Sequence, residues 1–350
     1  MPLSLTLLAA AVPTHRRALA IGIWGSVSGL GIALGPVLGG AVVDGFSWQT
    51  IFWINLPVAF VAVPLARYAL AESRGTRKPL DLPGVTLAGS AVFLGIWGLV
   101  RGNDDGWASA RVVAALTFAV VFLTGFLLRE RRTAHPVMPL RLFRARSFAI
   151  ANIIGLTFTL GVMGAVFLLS QYLQIVMGYS PFEAGVRTLP WTAAPMLVAP
   201  LAGLLAPRVG LRGLLVTGLL LQALALVWMA VQIQPGVAYS SVIPAFMMAG
   251  VGMGLTFAPN ATAVLTDMDP ADHATASSIN ATLRETGVAL GIAVLTAVFL
   301  GAGGTLTPTG YTDALAPALF AGSASVALAA IAALLLPRRA RAPRPQPASS

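Results

Sequence analysis

Side chains that can contact a ligand interrupt the long apolar segments of this sequence at scattered positions. Most are neutral: amides, an indole, aromatic rings and the soft thioethers of methionine. A cavity lined by apolar groups with a few amides and methionines suits lipophilic ligands of varied shape. The residues predicted to line such a cavity are Asn152, Met163, Phe167, Gln171, Gln174, Trp191, Gln222, Met247, Met248 and Asn260. For each of them taken alone, ordinary packing between helices is the alternative.

An acid and an arginine lie at the start of one apolar segment. Ser180-Pro181 followed by Glu183 has the pattern of a helix N-cap, a first-turn proline and a capping-box acid. A structural role for Glu183 is therefore predicted, with coupling or gating as the alternative. Arg187 lies one turn later, where it can pair with Glu183 or face an anionic group of a substrate.

A second charged group, Asn280 with Arg284 and Glu285, lies where another predicted span opens. Charge inside a membrane is costly and usually functional. These residues are either an anchor at the membrane interface or part of gating or proton transfer. By the same span limits, no Asp or Glu is expected at mid-membrane.

Motifs for enzyme chemistry are not found. The glycines of 29–35 resemble a dinucleotide-binding loop, but they lie inside a predicted helix with no strand before it. The single lysine, Lys78, is followed by Pro79, so no phosphate-binding P-loop is present. There is no cysteine, and three histidines fall in separate loops: His15, His135 and His273. We expect no metal site, no bound cofactor and no enzymatic activity.

Long uncharged helices must position the ligand-lining residues. Hydrophobic residues make up 57% of the 350-residue chain and charged residues 10%, with a mean hydropathy of +0.83; soluble domains are roughly 25% charged. A polytopic membrane protein is predicted, with ten full spans and a partial one at 2–12. The ten full spans are 18–43, 45–66, 82–100, 112–128, 147–172, 181–207, 213–232, 240–266, 286–301 and 314–336.

The basic residues assign the two sides of the membrane. Of 22 lysines and arginines, only Arg101, Arg111 and Arg187 fall on the side opposite the 15–17 loop. The positive-inside rule then places that loop and the C-terminus in the cytoplasm. Since the positive charge is spread over inner loops, the net charge of +10 does not indicate nucleic-acid binding.

The span 18–43 carries an unusual glycine face. Gly25, Gly29, Gly31, Gly35, Gly39 and Gly40 fall with Gly22 and Pro36 on one half of its circumference. Such a face lets another backbone approach closely, and Pro36 bends the helix. A dimerisation face is the alternative to packing within one molecule.

These features resemble the fourteen-span drug:proton antiporter family of the major facilitator superfamily. The resemblance lies in the glycine-proline string of 24–40, the Trp-to-Pro loop of 47–57, and the segments 178–185, 203–212 and 276–291. It implies an all-α fold of two helical bundles, with the glycine face sealing one bundle against the other. It also implies that the glycines and Pro36 serve conformational exchange and do not bind ligand.

The resemblance also implies a domain layout. Residues 1–78 would be the remnant of an N-terminal bundle, 79–135 two extra linker helices, 136–337 a six-helix C-terminal bundle, and 338–350 a disordered basic tail. The family's first three helices and most of its fourth are missing. We therefore expect either that the true start lies upstream or that the chain is a truncated copy.

The predicted function is proton-driven efflux of small lipophilic compounds by alternating access. The expected partners are a small-molecule substrate and the lipid bilayer, with the proton as coupling ion, no nucleic acid and a monomeric state. The expected location is the cytoplasmic membrane. Two alternatives stay open: a membrane remnant that does not transport, and transport of another metabolite by the same fold.

Overall fold

The computed structural model of the chain describes residue 12 and residues 17–69 and 81–337, all of it helix, turn or loop with no strand in those ranges. The partial span 2–12 and the basic tail 338–350 fall almost wholly outside the described residues. The helices are α1 (Arg17–Gly45), α2 (Thr50–Trp53), α3 (Asn55–Ala69), α4 (Leu82–Asp105), α5 (Ala110–Glu130), α6 (Arg146–Ile175), α7 (Pro181–Arg187), α8 (Leu189–Thr192), α9 (Ala194–Gln232), α10 (Tyr239–Leu265), α11 (His273–Gly301) and α12 (Pro308–Leu334), with 3-10 turns at Leu140–Arg144 and Pro270–Asp272.

The expected all-α membrane fold is confirmed. Within the described ranges, eight stretches are long and apolar enough to cross a bilayer. One of them, Leu189–Gln232, is broken at Gly210, whose φ of 81° lies in the left-handed region that glycine adopts readily. That stretch therefore holds two of the predicted spans, and α1 covers the predicted span 18–43.

Three predicted boundaries are wrong. The second span begins at Thr50 and not at Gly45, because the chain turns through Ser47–Gln49. The span predicted from Pro181 is divided into α7, α8 and the first part of α9. The span predicted from Thr286 begins at His273, since the alanines, serines and threonines of 274–282 continue the helix. Arg284 and Glu285 therefore lie inside α11 and not at its start, which corrects their assignment to a span end, while the expected lack of a mid-membrane acid stays a prediction.

The core is built from α6, α9, α10, α11 and α12. Its fully buried side chains include Ile154, Leu219, Phe246, Leu295 and Leu315. Buried hydroxyls tie α12 to its neighbours by donating to backbone carbonyls: Tyr311 to Leu168 at 2.8 Å, Ser323 to Ala223 at 2.9 Å and Ser325 to Thr157 at 2.7 Å. In a lipid environment such hydrogen bonds and close packing hold helices together, because burial of apolar groups gives no preference over lipid.

The pair α4–α5 is clamped at one end by ionic contacts. The Asp81 carboxylate caps α4 by accepting from the Gly84 N–H at 3.1 Å, and it pairs with Arg129 of α5 at 2.7 Å. The hydrogen bond from Arg129 holds the pKa of Asp81 below its ordinary value. At the other end, Asn103 donates to the Ala297 carbonyl of α11 at 2.8 Å. The pair is therefore fixed to the core.

The helix α3 contrasts with the rest. Together with α2 it forms the membrane-length stretch Thr50–Tyr68, none of which is buried among the described residues. Exposed apolar side chains such as Phe60, Val61 and Leu65 lie along it. The division of the chain into domains at 1–78, 79–135 and 136–337 stays a prediction.

Candidate functional site

Buried amides meet where α6, α10 and α11 come together. Asn152 of α6 donates to the Phe148 carbonyl at 2.9 Å, and its Oδ1 accepts from Asn280 of α11 at 3.1 Å. Asn260 of α10 lies beside them, and all three side chains are buried. Buried amides need hydrogen-bond partners. The Oδ1 of Asn260 has none in the structure, so it can accept a hydrogen bond from a further polar group.

Arg284 lies one helical turn after Asn280 and faces the same cluster. Its guanidinium lies 5.0 Å from the centroid of the Phe257 ring. Its Nε is buried and has no acceptor, and Oδ1 of Asn260 is also buried without a donor. We refer to Asn152, Asn260, Asn280 and Arg284 as the polar cluster.

Close contact between α6 and α11 holds the polar cluster in place. A Cβ added to Gly287 would overlap the Thr159 hydroxyl, and one added to Gly291 would overlap the Leu160 carbonyl. The Thr159 hydroxyl donates to the Arg284 carbonyl at 3.0 Å. Glycines at such positions let two membrane helices approach closely, so the orientation of Arg284 is fixed by the backbone of α6.

A cavity of about 10 Å³ lies inside the cluster, walled by Ile154, Phe158 and Phe257 as well as by the polar side chains. That is about the space of one water molecule. Ala261 lies at its rim and is exposed. Among its lining residues, Ala261 of α10 is therefore the exposed one.

The faces of α10 and α11 that are turned away from the cavity carry exposed polar side chains. These are Thr262, Ser278, Thr282 and Glu285. We refer to these four as the polar strip. A polar face on a membrane-length helix is costly against lipid and marks a water-filled path or a contact with protein.

The other candidate region is the contact between α1 and α7. A Cβ on Gly40 would overlap the Pro181 carbonyl, and a Cβ on Gly185 would overlap the Pro36 carbonyl. The two helices thus touch backbone to backbone at two reciprocal points. We refer to this contact as the α1–α7 seal.

The glycine face of α1 is used unevenly. A Cβ added to Gly31, Gly35 or Gly39 would meet no described atom within 4 Å, whereas Gly40 has no space for one. Gly25 and Gly29 lie in the same helix. The close approach therefore lies at the end of the predicted motif, around Pro36 and Gly40.

Asp44 completes the seal, and nothing in its sequence context marks it as a functional residue. Its Oδ2 accepts from the Ser180 hydroxyl at 2.6 Å and from the Phe182 N–H at 2.9 Å. The predicted capping box is confirmed, with Glu183 accepting from the Ser180 N–H at 3.1 Å. Asp44 and Glu183 together satisfy the first turn of α7, and Asp44 does so from a different part of the chain.

Replacing Asp44 with alanine is expected to loosen the seal, because two charge-assisted hydrogen bonds are lost at an exposed site, worth about 1–2 kcal/mol together. The chain has no cysteine, so a single thiol at half-buried Val37, which lies against Gly185, reports on opening. Maleimide labelling of Val37→Cys should become about 5- to 30-fold faster in Asp44→Ala. Asp104→Ala, which removes an exposed acid elsewhere, is the control, and equal labelling in both backgrounds contradicts the role of Asp44.

Arg187 is occupied by local contacts. Its guanidinium lies 3.6 Å from the centroid of the Tyr179 ring and 5.6 Å from that of Tyr239, and it pairs with Glu183 at 4.0 Å. The positive charge of Arg187 is therefore compensated by Glu183 and by the two tyrosine rings.

The remaining predicted lining residues do not join the polar cluster. Trp191 is buried against Phe246 with ring centroids 5.6 Å apart, and Gln222 is fully buried with neither amide atom bonded. The others lie elsewhere along α6 and α10, half-buried or exposed: Met163, Phe167, Gln171, Gln174, Met247 and Met248. Gln174 donates to the Ser170 carbonyl of its own helix at 3.0 Å.

Comparison with known proteins gives a consistent result. Residues 1–292 and 153–350 match the Major Facilitator Superfamily. The chain is 33% identical over 320 residues to the tetracenomycin C resistance and export protein of Streptomyces glaucescens, covering 90% of this chain and 59% of the relative. It is 35% identical over 298 residues to the multidrug resistance protein Stp of Mycobacterium tuberculosis, covering 84% and 55%.

A third relative is the methylenomycin A resistance protein of Streptomyces coelicolor. The identity is 35% over 302 residues, covering 84% of this chain and 62% of the relative. The chain thus spans less than two thirds of the length of these curated relatives.

Proposed function

The chain belongs to the Major Facilitator Superfamily, and on that premise we propose that it exports small lipophilic compounds, antibiotics or other drugs among them, across the cytoplasmic membrane. It is a multi-pass membrane protein. Export is proposed to run by alternating access and to be driven by proton entry, with transport and not catalysis as the activity. The names of the three relatives support this assignment, since all three are resistance proteins and one is also named as an export protein.

The polar strip on the exposed faces of α10 and α11 is the observation that carries the proposal. The Thr262 and Thr282 hydroxyls donate to carbonyls of their own helices, but the Glu285 carboxylate on a membrane-length helix needs water or protein around it. A water-lined path between bundles is the arrangement that a transporter requires. We assign the polar cluster to substrate contact and Glu285, the acid of the strip, to proton transfer. The coupling ion is then the proton, and no bound cofactor is required.

The α1–α7 seal supports alternating access. Two backbone-to-backbone contacts and the Asp44 hydrogen bonds join α1 to α7, which directly precedes α8 and α9. Such a contact has to form and separate as the two sides of the protein open in turn. The inner location of the C-terminus and the monomeric state are part of the same proposal.

Everted membrane vesicles test the proposal. Ethidium is added outside vesicles from cells that produce the chain, and dye movement is followed with and without an imposed pH gradient. Gradient-dependent dye uptake above that of vesicles lacking the chain is expected, since 100 mV supplies about 2.3 kcal/mol per proton. Flux that is equal in both kinds of vesicle contradicts export by this chain. It would favour a non-transporting membrane protein.

A further inference from the structure

A groove of about 970 Å³ opens at one end of the core. It is bounded by the start of α6, the turn of α9 at Gly210, the end of α10 and the residues that follow α12. Its lining shares no residue with the polar cluster or with the α1–α7 seal. Because membrane helices begin and end at the level of the lipid headgroups, the groove lies where a headgroup can reach it.

Positive charge predominates around this groove. Arg208 lines it and is exposed. Arg144, Arg146 and Arg212 each lie one position from a lining residue, whereas Asp267 is the one acid placed that close among the described residues. None of the four arginines forms an ion pair within the described ranges. The groove therefore presents a cationic surface that the protein itself does not neutralise.

The start of α6 adds hydrogen-bond donors to the groove. No side chain caps this 30-residue helix at Ala145, and the N–H groups of a first helical turn have no partner inside the helix. Ala145 and Ser147 both line the groove, so these donors lie at its edge. The positive end of the helix dipole attracts an anion to the same place.

Ser147 gives an independent sign of a ligand. It is only 3% exposed and yet lines the groove, and its hydroxyl makes no hydrogen bond to any described residue. Buried polar groups usually have a partner. A serine hydroxyl can donate to a phosphate oxygen, so Ser147 and the first-turn N–H groups of α6 can hold one phosphate together.

The rest of the groove is largely apolar. Pro207, Val209, Leu211 and Leu336 are among its lining residues. A volume of about 970 Å³ is within the range of sites that hold drug-sized molecules and is more than a bare phosphate ion needs. Phosphate-binding donors beside apolar walls fit a molecule that is anionic at one end and apolar at the other. An anionic phospholipid has this chemistry.

From these observations we propose that the groove binds the headgroup of an anionic phospholipid such as phosphatidylglycerol. Ser147 and the first N–H groups of α6 hold the phosphate, and Arg208 neutralises its charge. The first carbons of the acyl chains lie against Pro207 and Leu336. The bound lipid joins the start of α6 to the turn of α9. This site goes beyond the proposed export function and does not depend on it.

Native mass spectrometry of the purified full chain in detergent tests the site by titration with lipids. Phosphatidylglycerol and phosphatidylcholine with identical acyl chains are compared, since both carry the phosphate but choline adds a cation. We expect at least roughly fivefold tighter binding of phosphatidylglycerol. Glycerol 3-phosphate, which has a phosphate and no acyl chain, distinguishes a soluble anion from a lipid. It should bind at least roughly tenfold more weakly than phosphatidylglycerol, because it has nothing to contact the apolar walls.

Substitutions locate the source of the lipid preference. Ser147→Ala and Arg208→Gln should each reduce the preference for phosphatidylglycerol over phosphatidylcholine roughly 3- to 10-fold. Asp267→Asn should increase it at least about twofold, because a carboxylate that repels the phosphate is removed. Arg132→Gln removes an exposed arginine of the loop after α5 that does not line the groove. This charge-matched control should keep the preference of the unaltered chain.

The outcomes separate this inference from the proposed function, because vesicle flux does not enter them. Equal affinities for the two lipids, or an equal loss in Arg208→Gln and Arg132→Gln, would show general attraction to basic loops and overturn the site. Binding of glycerol 3-phosphate as tight as that of phosphatidylglycerol would overturn the assignment to a lipid. If Ser147→Ala does not elute as a folded species, the opposite shifts expected for Arg208→Gln and Asp267→Asn still decide the matter.

Discussion

Replacing Gly40 with leucine is expected to reduce gradient-driven efflux at least roughly tenfold without preventing insertion into the membrane. The added Cβ would overlap the Pro181 carbonyl and lie 2.8 Å from Cα of Phe182. These are backbone atoms and cannot move aside as a flexible side chain would. Overpacking of this kind costs about 1–3 kcal/mol, and the strain is relieved only by separating α1 from α7. The seal would then fail to form.

Gly39→Leu is the matched control for that experiment. The same substitution one residue earlier meets no described atom within 4 Å, so efflux within about twofold of the unaltered chain is expected. Protein quantity in the membrane is measured for both variants. Normal efflux in Gly40→Leu, or an equal loss in both variants, would show that the α1–α7 seal does not govern transport.

The second large effect is expected at Gly291, where leucine should prevent stable folding. A Cβ there would overlap the Leu160 carbonyl and lie 2.8 Å from the carbonyl carbon and Cα of the same residue. Across the contact, a Cβ on Gly164 would press on the Gly291 carbonyl. Because both helices contribute backbone, neither can yield, and we expect a loss of about 3 kcal/mol or more. Arg284, two turns earlier on the same face, would move away from Asn260.

Thermal stability in detergent is the measurement, read by fluorescence-detected size-exclusion chromatography. Gly89→Leu in α4 is the control, since that position is exposed and has open space around it. Gly291→Leu should give little monodisperse protein, and Gly89→Leu should behave as the unaltered chain does. A normal elution profile and melting midpoint for Gly291→Leu would contradict the close packing of α6 on α11.

The helical architecture could be predicted from the sequence because membrane spans leave a simple signal. Runs of about twenty apolar residues are rare outside membranes. The capping box at Ser180 and Glu183 was also predictable, since it depends on residues only three apart. Signals of this kind are local and need no knowledge of the partner helix.

The position of Arg284 could not be predicted in the same way. Span limits drawn from uncharged runs stop at any charged residue, so they placed Arg284 and Glu285 at the start of a span. In the structure α11 continues thirteen residues further back, to His273. A charge that faces a cavity or a polar strip does not end a helix. Only the packing of α6 and α10 reveals that such a cavity exists.

The seal depended on tertiary contacts that carry no sequence signal. Periodicity places Gly35, Gly39 and Gly40 on one half of α1, but which of them touches a neighbour depends on the register of α7. Asp44 meets Ser180 across 136 residues of chain. From the sequence, Asp44 is an ordinary charged residue at the end of a span. In the structure its carboxylate caps the N-terminus of another helix, α7.

The breaks between α7, α8 and α9 have a mechanical consequence for the seal. Pro190 and Pro195 have no N–H, so the carbonyls of Val186 and Trp191 lack the donor that a continuous helix would supply. Bending at these two joints breaks fewer hydrogen bonds than bending an uninterrupted helix. In the seal, α1 therefore packs against a short helix, the seven-residue α7, that is connected to α9 through two easily bent joints. The part of α9 beyond Gly210 is packed in the core.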